Sequence, residues 1–88
     1  MLEIIYKNSF LKDWKKLKKR GYAYDKLESL LNLIVGQQPL PEKQRLHTLK
    51  GVWSGYKECH IEPDWLLIYM ETAANIILVR TGTHSDLF

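Results

Sequence analysis

The chain has 88 residues, of which 45% are hydrophobic, 26% charged and 11% aromatic, with a formal net charge of +3. That is one globular domain over residues 1–88 with no room for a second; its one cysteine, Cys59, excludes both a disulfide framework and a Cys-cluster zinc site. The longest apolar runs, Leu66–Met70 and Ile76–Val79, fall far short of the roughly 20 residues of a membrane span. In chain order, Leu2–Tyr6 reads as a short strand rich in β-branched and aromatic residues. Asn8 or Ser9 is placed to cap the helix that follows. Phe10, Trp14 and Leu17 give that helix one apolar stripe, with Lys12, Lys15, Lys16, Lys18, Lys19 and Arg20 around it and Gly21 as its stop. A second helix is expected from about Asp25, where Asp25 and Glu28 are spaced as a capping box. Leu27, Leu30, Leu31, Ile34 and Val35 form its core-facing stripe, and Gly36 ends it.

Pro39 and Pro41 keep the next segment from being helical, so residues 37–54 read as a long loop. Three strands are expected after it, at Tyr56–Ile61, Trp65–Glu71 and Asn75–Thr81, joined by turns short enough only for antiparallel hairpins. The order β-α-α-β-β-β predicts an α+β domain with two helices packed on one face of a mainly antiparallel sheet.

The charge is asymmetric. Residues 1–50 hold eleven Lys/Arg against five Asp/Glu, a balance of +6; residues 51–88 hold two against five, a balance of −3. Seven of the fourteen residues from Lys7 to Arg20 are basic and only Asp13 is acidic. A solvated helix face puts lysines outside at little cost, but this single-sign excess favours phosphate contact. Lys15, Lys16 and Lys19 on the helix and Lys50 in the loop are the candidate cations. Trp53, Tyr56 and Trp65 are candidates for stacking on unpaired bases, with a place in the core as the alternative for Trp65.

Strand alternation puts Tyr56, Glu58, His60 and Glu62 on one face and Lys57, Cys59 and Ile61 on the other. Arg80, Gly82 and His84 share a side if the last strand runs that far. His60 and Asp64 flank a hairpin turn and His47 lies in the long loop, so the three histidines can meet at one end of the sheet. Histidine exchanges protons near neutral pH. Cutting RNA through its own 2′-hydroxyl needs a base for that hydroxyl, an acid for the 5′-oxygen leaving group, and cations for the charged phosphorane. His, Asp, Arg and Lys supply these parts without metal. The alternatives are structural or merely exposed histidines, and a zinc site of three His, for which no local H-x₃₋₅-H spacing is present.

The run His60-Ile61-Glu62-Pro63-Asp64-Trp65-Leu66-Leu67-Ile68-Tyr69 and the ending Arg80-Thr81-Gly82-Thr83-His84-Ser85-Asp86-Leu87-Phe88 resemble the YafQ-type toxins of the RelE superfamily. Pro39-Leu40-Pro41, His47 with Leu49-Lys50-Gly51, and Trp53 with Gly55-Tyr56 follow the same family's central pattern, so the resemblance covers almost the whole chain. It implies the toxin of a type II toxin–antitoxin pair, a cytoplasmic, metal-independent endoribonuclease that cuts mRNA in the ribosomal A site and needs no cofactor. It implies as partners a cognate antitoxin, the ribosome and mRNA, with operator DNA reached only through the antitoxin complex and no membrane. The site positions it implies are His47, His60, Asp64, Trp65, His84 and Phe88. His84 is the expected acid, His60 or His47 the base and Asp64 the orienting group. Arg80 is expected at the phosphorane, and Trp65 and Phe88 are expected to hold the nucleotide or shape the pocket. Thr48 stands where the family commonly has proline, which leaves the backbone at His47 less restricted. The same superfamily also contains gyrase-directed toxins that cut no RNA, so a non-catalytic RNA- or protein-binding module is the alternative.

Overall fold

In the computed structural model the described residues are 2–40, 47–48 and 54–88. Lys50 and Trp53 lie outside them, and at His47 and Thr48 the description is of the backbone. The elements are β1 (Glu3–Tyr6), α1 (Asn8–Lys19), α2 (Tyr24–Val35), β2 (His47–Thr48), β3 (Lys57–Glu62), β4 (Trp65–Glu71), β5 (Asn75–Gly82) and α3 (His84–Leu87). One five-stranded sheet has the order β1-β5-β4-β3-β2. β1 runs parallel to β5, and the other pairings are antiparallel. The α+β reading with two N-terminal helices therefore holds, with two additions. Residues 37–54 are not loop throughout, because His47–Thr48 pair with β3 as an edge strand. The chain also closes in a short helix instead of extending β5 to His84.

The helix boundaries follow a different local chemistry from the one expected. The α1 N-cap is Lys7, without a side-chain cap. Ser9 instead donates its hydroxyl to the Val79 carbonyl at 2.6 Å, which ties the start of α1 to β5. Tertiary bonding has displaced a local cap. Ala23 is the N-cap of α2, and the Asp25–Glu28 box does not form. Gly21 does stop α1: its φ of +88° suits a residue without Cβ at the helix exit.

The main core lies between the sheet and α1 and α2. Phe10 and Leu17 enter from α1, Leu27, Leu30, Leu31 and Ile34 from α2, and Cys59, Trp65, Leu67, Tyr69, Ile76 and Leu78 from the strands. Each such side chain contributes about 1.5–3 kcal/mol on burial. Trp65 is the largest, 1% exposed. It stacks on Trp14 with ring centroids 6.1 Å apart and meets the edge of Tyr22 at 5.0 Å. The opposite sheet face carries a smaller cluster, Leu66, Ile68 and Leu87, with Tyr56 and Val79 packed against it. Leu87 thus docks α3 onto the sheet.

Two irregularities re-aim side chains. A register shift between His60 and Glu62 pairs Glu62 with Trp65, and Glu62 reaches Lys26 on α2 at 3.1 Å. Glu62 therefore leaves the face it was expected to share with His60. A second shift in the β4–β5 ladder makes Val79 the extra residue between Leu78 and Arg80.

Candidate active site

Three elements meet at the β3–β4 hairpin end of the sheet. β3 supplies Glu58 and His60, whose cross-strand partners Ile68 and Leu66 belong to the smaller cluster. Both polar side chains are therefore on that second face, and each residue is only 8% exposed. The Glu58 carboxylate lies 3.6 Å from His60 Nε2. The backbone of β2 pairs His47 with Glu58, which puts the loop histidine at the neighbouring register position. The turn after β3 carries Asp64, and α3 opens with His84.

The start of α3 is built by Thr83 and Asp86. The Thr83 hydroxyl accepts the Asp86 N–H at 3.2 Å, and the Asp86 carboxylate accepts the Thr83 N–H at 2.9 Å. This reciprocal capping box ends the strand at Gly82 and turns His84 toward Asp64. A side chain at Gly82 would stand 2.9 Å from Asp86 Cβ, so the approach requires glycine. Sharing of one strand side by Arg80, Gly82 and His84 is accordingly overturned, since the strand conformation ends before His84.

Asp64 Oδ1 accepts two hydrogen bonds from His84, the backbone N–H at 2.9 Å and the ring Nδ1 at 2.5 Å. With Nδ1 carrying the proton, the tautomer this contact selects, Nε2 is the nitrogen left to face a reactant. The bonds from the His84 N–H and then its ring hold the Asp64 carboxyl below the usual carboxylate range. The His60 and His84 rings meet edge to face, centroids 5.7 Å apart. Two imidazoles, one backed by Asp64 and one by Glu58, are arranged for paired proton transfer across one reacting group. Cys59 makes no nucleophile: burial pushes its thiol up to about 12.

Residues 2–88 match the family model described as a bacterial toxin of type II toxin–antitoxin systems, YafQ. The chain belongs to the YafQ toxin family. It is 41% identical over 87 residues to the mRNA interferase toxin YafQ of Escherichia coli strain K12, covering 98% of this chain and 95% of that protein. A metal-bound toxin from Helicobacter pylori superposes with a TM-score of 0.93 at 39% identity over the full length of both chains. The E. coli DinJ–YafQ toxin–antitoxin complex contains a chain that matches with a TM-score of 0.89 at 41% identity, covering 99% of this chain and 97% of that one. Among the described residues of this YafQ-family chain, no group of three or more His, Cys, Asp or Glu is placed to hold a metal ion.

The other expected site residues divide. Phe88, 61% exposed, follows α3 and donates its N–H to the His84 carbonyl at 2.9 Å. Trp65 is a correction: it is core, and its indole N–H donates to Thr81 Oγ1 at 2.9 Å. Its ring packs against Trp14 and Tyr22. Arg80 does not stand beside His84 as an unpartnered cation. Asp13 on α1 takes its Nε at 2.5 Å and its Nη2 at 3.1 Å, and also accepts the Thr81 N–H at 3.2 Å. This pairing raises the Arg80 pKa. Arg80 lines a groove of about 330 Å³ with Lys16, Lys19 and Arg20, in which Asp13 and Asp86 are the acidic members. Lys15 is exposed on the same helix but does not line the groove. In the YafQ-family chain the basic helix thus reaches the acidic half through Arg80–Asp13 and Arg20–Asp86.

Sequence reading passed over Glu58, Asp13 and the Arg20–Asp86 pair as site components. Glu58 carried a signal, its alternation with His60. Asp13 and Arg20 carried none, because their partners lie 67 and 66 residues away.

Proposed function

We propose that this chain is the toxin of a type II toxin–antitoxin pair and a ribosome-dependent endoribonuclease acting on mRNA. The observation that carries the chemistry is the Asp64–His84 contact with His60 alongside. Family membership and the activity named for the 41%-identical relative support the substrate class. His84 is the general acid: in its doubly protonated form Nδ1–H stays on Asp64 while the Nε2 proton passes to the departing 5′-oxygen. His60, with Glu58 behind it, or His47 from the neighbouring strand removes the 2′-hydroxyl proton. The attacking 2′-oxygen forms the new bond to phosphorus as the 5′-oxygen leaves, giving a 2′,3′-cyclic phosphate and a 5′-hydroxyl. Asp64 orients His84, Arg80 faces the phosphorane charge from its Asp13 support, and Phe88 holds the nucleotide. Lys15, Lys16, Lys19 and Lys50 grip RNA phosphates.

A cognate antitoxin is the expected protein partner, by likeness to the DinJ–YafQ complex, and operator DNA is reached only through it. None of the described helices is long and apolar enough to cross a membrane. The proposed ribosomal target implies a cytoplasmic location. No cofactor or metal is assigned a step. The test is primer extension on a defined mRNA in ribosomes treated with the purified protein. Cuts in the A-site codon that survive excess chelator, and vanish when the 2′-hydroxyl at the cut is replaced by hydrogen, are expected. Arrest of translation without cuts would overturn the proposal in favour of a binding toxin.

A further inference from the structure

We propose that Arg20 and Asp86 are positioning residues for His84: their ion pair clasps α3 against the end of α1 and so keeps the imidazole on Asp64. The inference rests on the endoribonuclease reading above. A helix of four residues has no stability of its own, so whatever fastens α3 sets where His84 stands. Leu87 fastens it from below and the Thr83–Asp86 box closes its first turn. The link to the helical layer is Arg20 Nη2 to Asp86 Oδ2, 2.7 Å.

Arg20 is itself held. Its guanidinium carbon lies 5.4 Å from the centroid of the Tyr22 ring, and Tyr22 meets the edge of the buried Trp65. A continuous path therefore runs from the core through Tyr22 and Arg20 to Asp86 and the His84 backbone. The charge pattern argues the same way. Asp86 sits in a groove with Lys16, Lys19, Arg20 and Arg80, where a carboxylate opposes phosphate binding. Its presence is accounted for by what it holds. The hydrogen bonds from Arg20 and then from the Thr83 N–H bring its carboxyl down to about 2, so the clasp is charged at every working pH.

Positioning and simple surface charge predict opposite results for Asp86→Asn. The amide oxygen still accepts the Thr83 N–H, but the ion pair is lost and a negative charge leaves the groove. Positioning predicts that the saturating cleavage rate on programmed ribosomes falls about tenfold while KM stays level or decreases. In the free protein the His84 ring-nitrogen NMR signals should shift, reporting a loosened Asp64 contact. An unchanged rate at saturation, whatever KM does, overturns the proposal, as does an unmoved ring signal. Should Asp86→Asn fail to fold, Arg20→Gln decides by the same two readings, since it leaves the capping box intact and removes an exposed group. Absence of cuts with the unmodified protein would instead count against the endoribonuclease reading, and the ring signals would still judge the clasp.

Discussion

Asp64 Oδ1 accepts both the backbone N–H and the ring Nδ1 of His84, at 2.9 and 2.5 Å, so one oxygen fixes the position and the orientation of the imidazole together. Both side chains are more than half exposed, so the pair adds little to stability. Asp64→Ala should therefore leave the melting temperature nearly unchanged and slow cleavage on the order of 10- to 100-fold. A drop in both together would show that the contact is structural.

Trp65 belongs to the opposite class. Truncating a fully buried tryptophan costs about 3–5 kcal/mol, a large share of what a domain of this size has. Trp65→Ala should lose toxicity because the fold is lost, seen as a collapse in soluble yield and melting temperature. Trp65→Phe keeps a ring between Trp14 and Tyr22 but leaves Thr81 Oγ1 without the indole donor. It should fold, at a cost of about 1–3 kcal/mol in denaturant titration.

Asp13 is the single acidic residue of the basic helix, and it serves Arg80 and the Thr81 N–H at once. Asp13→Ala strands a half-buried guanidinium and a buried backbone donor. We expect a loss of about 2–4 kcal/mol in equilibrium unfolding. Saturating cleavage should also slow, as Arg80 loses its support. Asp13→Asn, which keeps an acceptor, should recover part of the stability and less of the rate.

Acid should loosen the site before it unfolds the domain. Asp86 ionises at about 2 in the folded chain, against an ordinary value of 3.8, and Asp64 is lowered in the same direction. A lowered carboxylate contributes stability that is present above the ordinary value and is lost as pH falls through the folded one. Between pH 4 and 2 the amide protons of Thr83, His84 and Asp86 should lose hydrogen-exchange protection while those of β4 keep theirs. Solvent screening at these exposed positions keeps the effect local to α3. Protection of α3 that is indifferent to pH over this range would contradict the assignment.

The residues that spelled the fold did so through local pattern. Leu27, Leu30, Leu31 and Ile34 marked the buried side of α2, and short turns at Pro63 and Thr72 compelled antiparallel neighbours. His60, His84 and Asp64 were legible as a set because hairpin geometry returns the chain to one end of the sheet. What stayed hidden was decided between distant residues. Ser9 gave up a cap for Val79, a bulge moved Glu62 to the helical side, and Thr83 with Asp86 turned an expected strand end into α3. Trp65 illustrates the limit most plainly. A tryptophan next to a candidate active-site aspartate reads equally as platform or core, and its packing against Trp14 and Tyr22 decides for core.

The central claim is that His84 performs the chemistry while contributing little to the fold. It is tested most directly by mapping the 5′ ends of cellular mRNA after brief induction, unmodified protein beside His84→Ala at matched soluble levels. The account predicts new ends inside coding sequences with the unmodified protein. It also predicts their loss, by a factor of about 10²–10⁴ in cleavage, with a His84→Ala protein whose melting temperature is unchanged. A folded His84→Ala protein that produces the same ends in the same abundance would contradict it.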